Sequence, residues 1–264
     1  MKSIGRIFAL VLRYFYLIRT SFPRLLELMY WPTFQMILWG LIAKYIASSN
    51  DTIIQIGGVL IAGVLLWDVL FRSQLGFSIS FLEEIWSRNL GQLFVSPLKP
   101  LEMVLSLMTI SFIRTIIAML PAALLAIPLY AFSLFQMGFS LMLLFSSLLI
   151  TGWILGIFII AAIIRFGVSA ESLAWSAIFT LAPLSAVYYP VETLPEWIRW
   201  LSLSFPQTYV FEGMRDVLFN SNFNLNYFLK SLALNGVYGF IAIIVFLVSF
   251  EGARKRGGLI NTGE

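Results

Sequence analysis

Asp68 and Arg114 are charged side chains inside otherwise apolar stretches of a 264-residue chain. An ionisable group in a membrane span costs about 3 kcal/mol on insertion scales and turns toward a protein interior or an aqueous path. Arg114 lies well inside its stretch, while Asp68 falls nearer the end of its own. At about 1.5 Å rise per residue the two levels differ by roughly 10 Å, so pairing requires Arg114 to reach along its helix. Two roles stay open for this pair, a structural ion pair or snorkelling and a place on a substrate path. Lys44, near the far end of the first stretch, fits snorkelling. The chain has no Cys and no His, which removes thiol redox chemistry, His and Cys metal ligation and every His general base. Carboxylates, Lys, Arg and Tyr are what remain. No G-x-x-x-x-G-K-[ST] phosphate loop occurs, so any ATP is bound on another chain.

A second group lies in residues 77–99, FSISFLEEIWSRNLGQLFVSPLK. Phe81, Leu82, Ile85 and Trp86 share one helical face, which Glu83, Glu84 and Arg88 largely avoid, and Asn89 follows; the spacing predicts a short amphipathic helix. Its apolar face needs cover, either from the inner ends of the chain's own spans or from a groove on a cytoplasmic partner.

The third group is PLSAVYYPVETLPEWIRWLSLSFPQTYVFEGMRDVL, residues 183–218. Tyr188, Tyr189 and Pro190 end an apolar stretch, Leu194 and Pro195 lead into a short segment, and Pro206 turns the chain again. Thr193 and Glu196 have the spacing of a capping box. Trp197, Trp200 and Leu201 fall at i, i+3, i+4, the apolar face of a short helix. This predicts a broken helical hairpin, too apolar to sit free in water and too short to cross a bilayer.

The elements that position these groups are membrane helices. With 60% hydrophobic and 11% charged residues, and a mean hydropathy of +0.92, the chain lacks the polar surface of a soluble globule. About six stretches approach the roughly 20 apolar residues a span needs: 30–47, 53–71, 101–127, 139–164, 173–189 and 227–250. Their continuous apolarity excludes barrel strands. If the spans alternate, Lys2, Arg6, Arg13, Arg19, Arg24, Arg72, Arg88, Lys99, Arg165, Arg254, Lys255 and Arg256 share one side, with Lys44, Arg199, Arg215 and Lys230 opposite. The basic side is cytoplasmic, so both termini are inside and the hairpin, residues 190–226, is external. In residues 1–27, Ile4, Ile7, Phe8, Val11, Phe15 and Ile18 form one arc, with Lys2, Arg6 and Arg13 opposite. This reads as an interfacial helix whose cations meet anionic headgroups. Gly152 and Gly156 form a G-x-x-x-G stripe for close helix contact, within one subunit in the simpler reading.

In order, Pro183-Leu184-Ser185, Tyr189-Pro190, Leu194-Pro195, Trp197, Pro206 and Glu212 to Arg215 resemble the P-L-S-x-x-x-Y-P…L-P…P…E-x-x-R pattern of the type-2 ABC transporter permeases. SRNLGQLFVSPL with Pro100-Leu101-Glu102 is a second match, and the resemblance covers nearly the whole chain. It implies an all-α polytopic fold forming a single permease domain over residues 1–264. It also implies a second permease copy, two ATPase subunits carrying ATP and Mg, no cofactor or catalytic residue on this chain, and a bacterial inner-membrane location. By resemblance, Phe81 to Trp86 with Arg88 and Asn89 belong to a coupling loop for the ATPase. Tyr188, Tyr189, Pro190, Leu194, Pro195, Trp197, Trp200 and Pro206 belong to an exit gate. The substrate class implied is hydrophobic or amphipathic, moved outward. The basic pattern that precedes the first span in polysaccharide exporters is replaced here by SFPRLLELMYWP.

An ion-gradient-driven transporter or channel is the competing class; it calls for broken helices with midplane acids, often in repeated halves, and here only Asp68 qualifies. A membrane-embedded enzyme has no His, Cys or carboxylate cluster to work with. Nucleic acid is not an expected partner.

Overall fold

The computed structural model describes residues 3–46 and 51–255; Lys2, Ala47 and Arg256 of the readings above lie outside them. The described residues contain helices and turns and no strand. The helices are α1 (Ser3–Arg19), α2 (Phe22–Ile46), α3 (Asp51–Trp86), α4 (Leu90–Val95), α5 (Pro100–Tyr130), α6 (Phe139–Phe166), α7 (Leu173–Leu184), α8 (Glu196–Leu203), α9 (Pro206–Asn220) and α10 (Leu225–Lys255). Five of them, α2, α3, α5, α6 and α10, are long and apolar enough to cross a membrane. Val168–Leu184 is a shorter apolar helical stretch. This is a polytopic helical membrane protein.

Local chemistry sets the ends. Pro100 occupies the first turn of α5, where its missing N–H costs nothing, and Glu102 accepts the Lys99 backbone N–H at 3.0 Å. Pro32, Pro121 and Pro128 sit inside α2 and α5, as neighbouring helices allow in membrane bundles. Gly167, at φ +83°, closes α6 by donating its N–H to the Ile163 carbonyl at 2.8 Å.

α3 is the buried axis, packed against α2, α5, α6 and α9. Its 36 residues make a rod of about 54 Å. Gly152 and Gly156 let α6 lie directly on it: a Cβ at Gly152 would stand 1.9 Å from Ser73 Oγ and 2.8 Å from the Leu70 carbonyl, and one at Gly156 2.7 Å from the Phe77 ring. The small-residue stripe therefore serves contact within the chain. Ser111 adds a hydrogen bond from α5 to the Ser73 carbonyl at 2.6 Å. α6 and α10 share a buried polar seam, with Thr151 donating to Asn235 at 2.9 Å and Ser147 facing Ser231 at 2.6 Å.

Two apolar cores follow. One gathers Tyr14, Ile18, Phe77, Phe81, Ile85, Leu107, Ile160 and Phe250 at the end that carries α1 and the close of α10. The other gathers Met36, Leu65, Leu66, Ala122, Leu144, Val187, Phe211 and Met214 at the opposite end.

Three expected boundaries shift. The second span does not stop at Phe71: α3 runs on for four more turns to Trp86, because Phe77, Phe81 and Leu82 continue its buried face. The expected interfacial segment 1–27 breaks at residues 20–21, and 22–27 already belong to α2. The fifth apolar stretch forms only the 12-residue helix α7, which ends before the left-handed Ala186 at φ +53°.

Candidate functional site

At the terminal end, the connection between α3 and α5 hangs between carboxylates that the amino-terminal segment grips. Glu102, in the first turn of α5, receives Arg6 Nε at 2.8 Å, a second bond from Arg6 Nη2, and the Ser3 hydroxyl. Glu84, near the end of α3, receives Arg13 at 3.1 Å and the Asn89 side-chain amide at 2.7 Å. Glu83 is flanked by Arg24 at 3.5 Å and Arg114 at 3.2 Å. Tyr14 is buried beside this group, and burial, reinforced by the Glu84 carboxylate, pushes its phenol upward. The basic face of α1 therefore meets protein carboxylates rather than being left for lipid headgroups. The reason is geometric: Leu10, Tyr14 and Ile18 bury the helix against α5 and α3, while Ile4 and Phe8 stay exposed.

This moves the accessible surface of the predicted coupling segment. Phe81, Leu82 and Ile85 are buried in the chain's own core and are not free to dock. The separate amphipathic helix expected there is the last turn and a half of α3. Trp86 is half exposed and its indole N–H donates to Glu171 at 3.3 Å, tying the loop to the turn before α7. Arg88 is exposed and left-handed, φ +53°, and the Asn89 N–H returns to the Glu84 carbonyl at 3.0 Å, closing α3 with a Schellman turn. The exposed apolar surface falls further on, at Val95 of α4.

Arg114 pairs with Glu83, not with Asp68. Its chain runs past Gly76, whose added Cβ would lie 3.6 Å from Arg114 Cδ. Because α3 continues to Trp86, Asp68 sits near mid-helix, two turns from Gly76 toward the opposite end of the bundle, which reverses the order of levels expected from a span ending at Phe71. Asp68 is fully buried, and neither carboxylate oxygen has a hydrogen-bond partner among the described residues.

At the opposite end the broken hairpin forms and re-enters the bundle. α9 packs on α10, α6 and α3, and the α8–α9 turn reaches far enough for Tyr238, thirteen residues into α10, to donate to the Ser204 carbonyl at 3.0 Å. That level is about 20 Å below the start of α10. Arg215, buried, organises the entry. Its Nη2 donates to the carbonyls of Val187 at 3.1 Å, Tyr189 at 2.7 Å and Ala186, and its Nη1 donates to Glu212 at 3.0 Å. Glu212 also accepts the Val191 N–H at 2.8 Å. The guanidinium thus takes up the carbonyls that the left-handed turn after α7 frees.

Of the residues expected at the exit gate, Tyr188 stacks on Trp39 of α2 at 4.7 Å, and the Tyr189 hydroxyl bonds the Pro183 carbonyl. Pro206 is buried at the first turn of α9, Leu194 is half-buried, and Pro190 and Pro195 are exposed. Trp197 and Trp200 are 72% and 68% exposed, so they do not cover the chain's own spans. The Thr193–Glu196 capping box does not form: Pro195 holds the cap position, and the Thr193 hydroxyl turns back to the Pro190 carbonyl at 2.8 Å.

Sequence reasoning placed Glu212 and Arg215 only in a motif and gave Glu83, Glu84 and Glu102 no partners. The available signal was acids in the terminal turns of α3 and α5 facing a segment with an arginine about every seven residues.

Residues 7–219 match the family described as ABC-2 type transporter. No curated protein matches the chain.

Proposed function

The chain belongs to the ABC-2 type transporter family, and from that premise we propose that it is the permease subunit of an ATP-driven exporter. Two copies form the path, two ATPase subunits bind ATP and Mg, and a hydrophobic or amphipathic substrate moves out of the cytoplasm or inner leaflet. The chain crosses a bacterial inner membrane six times, the stretch from Val168 through Tyr189 supplying the short crossing, with both termini cytoplasmic.

The observation that carries this reading is the loop 87–99, exposed at Arg88 and Val95 and anchored at both ends by carboxylates that α1 grips. An ATPase pressing on that loop moves α1, α3 and α5 together. α3 then transmits the displacement as a rod, since Gly63 touches the hairpin end closely: a Cβ there would lie 2.9 Å from the Val187 carbonyl. Coupling of this kind needs a two-state element, and the re-entrant hairpin is that element.

The test is inverted membrane vesicles carrying the chain with an ATPase subunit. Uptake of an amphiphilic substrate that requires ATP and stops when Val95 and Arg88 are both replaced by Asp supports the reading. Uptake driven by a proton gradient without ATP contradicts it. The latter outcome is what the competing ion-driven reading expects, for which the favouring observation is the buried Asp68, whose carboxylate has no hydrogen-bond partner among the described residues; Asp68→Asn would then abolish transport.

A further inference from the structure

A cavity of about 180 Å³ opens between α1, α2, α3, α5 and α7, its lining mixing Arg24, Arg72, Arg114, Glu27 and Glu83 with the apolar Leu28, Leu75, Ile79 and Trp175. Arg72 and Arg114 are 7% and 6% exposed. Glu83 occupies one end of Arg114 and also faces Arg24, yet Arg114 Nε has no hydrogen-bond partner among the described residues, and neither do Arg72 Nε and Nη2. The Arg72 guanidinium lies 5.2 Å from the Phe71 ring centroid, which supplies a face but no acceptor. Asp68, one turn away on α3, does not line the cavity.

Buried guanidinium donors without acceptors are costly, and a single acceptor with several oxygens is what a planar fork is built to take. Asp68, buried one turn from Arg72, and Glu27 offset the charge of Arg72, and Glu83 is shared by Arg24 and Arg114, so it is the free donors on Arg72 and Arg114, and not a surplus of positive charge, that an oxygen-rich group would satisfy. Leu28, Leu75, Ile79 and Trp175 give the same cavity an apolar lining, and Trp175 is 44% exposed. We propose that this cavity binds the phosphate group of an amphiphile, with the phosphate oxygens on Arg72, Arg114 and Arg24 and the hydrocarbon along Leu75, Ile79 and Trp175. As a statement about the exported substrate, an anionic amphiphile, it rests on the transport reading above. As a statement about binding it does not, and the experiment reads binding alone.

The full chain, purified in a neutral detergent, is titrated with dioctanoyl phosphatidic acid, with dioctanoyl glycerol and with inorganic phosphate, and bound ligand is counted by native mass spectrometry. Phosphatidic acid binds at least tenfold more tightly than either of the other two. Arg72→Gln with Arg114→Gln lowers that affinity at least tenfold, and Arg24→Gln, at the exposed lip where folding is not at stake, lowers it several-fold. Arg165→Gln, outside the cavity, leaves it unchanged. Equal binding of dioctanoyl glycerol would make the cavity an apolar groove, and equal binding of inorganic phosphate a free-anion site. Either result overturns the proposal, as does phosphatidic acid binding that all three arginine substitutions leave intact.

Discussion

At the end bearing α1, Arg6 and Arg13 reach carboxylates 96 and 71 positions further along the chain; at the opposite end, Arg215 reaches carbonyls only 26 to 29 positions away. The first set is partly open to solvent, with Arg6 18% and Arg13 40% exposed, while Arg215 is 8% exposed. One end is a clasp between two separate segments that can let go. The other is a knot tied within a single segment, which can only move as a piece. In the proposed exporter the contrast assigns the parts: the clasp passes a push on the loop to α1, α3 and α5 together, and the knot lets the hairpin move as one piece.

The seam common to both ends is the place to break them together. Gly152→Leu drives a side chain into the Leu70–Gln74 backbone of α3, and a cost of about 3 kcal/mol or more is expected. Thermal unfolding in detergent should show one early transition, with both ends lost at once. Arg215→Met comes next. It leaves Glu212 with the Val191 N–H but no countercharge and frees three carbonyls, and removing one partner of a buried pair costs about 3 kcal/mol. A cysteine at position 204 should then label rapidly, while tryptic cleavage in α1 stays at its parental rate.

Glu84→Gln combined with Glu102→Gln should do the converse. Cleavage at Arg13 and Arg19 rises by roughly tenfold as α1 detaches, and labelling at 204 is unchanged. Raising salt to about 1 M, where screening acts within about 3 Å, should loosen the same clasp and spare the buried knot. If high salt freed the hairpin first, the contrast between the ends would be reversed. The smallest effect belongs to Arg88→Gly, which relieves a left-handed residue at the close of α3 and should stabilise by about 1 kcal/mol.

Much of the bundle was legible because a bilayer reads composition directly. The ends of α5 and α6, marked by Pro100, Gly138 and Gly167, fall close to the expected spans. Periodicity found the apolar face of Phe81, Leu82 and Ile85 correctly but could not say what covers it; the same pattern serves a docking helix and the last turns of a buried rod. That ambiguity shortened α3 and put Asp68 at the wrong level. The capping box failed for a related reason, since the local hydroxyl had two backbone partners in reach and Pro195 had already set the helix start. Arg215 was visible only as part of E-x-x-R, because its partners are carbonyls, which carry no residue type.

The most direct measurement uses the absence of cysteine. In the complete complex with its ATPase subunit, Val95→Cys and Ile85→Cys are compared for cross-linking to the ATPase by a short bifunctional reagent, with and without ATP. Cross-linking at position 95 that changes with ATP, and none at position 85, is the expected result, because Val95 is exposed and Ile85 is buried in the chain's own core. Cross-linking at position 85, or none at position 95 while the complex stays intact, would contradict the placement of the coupling surface on the loop after α3.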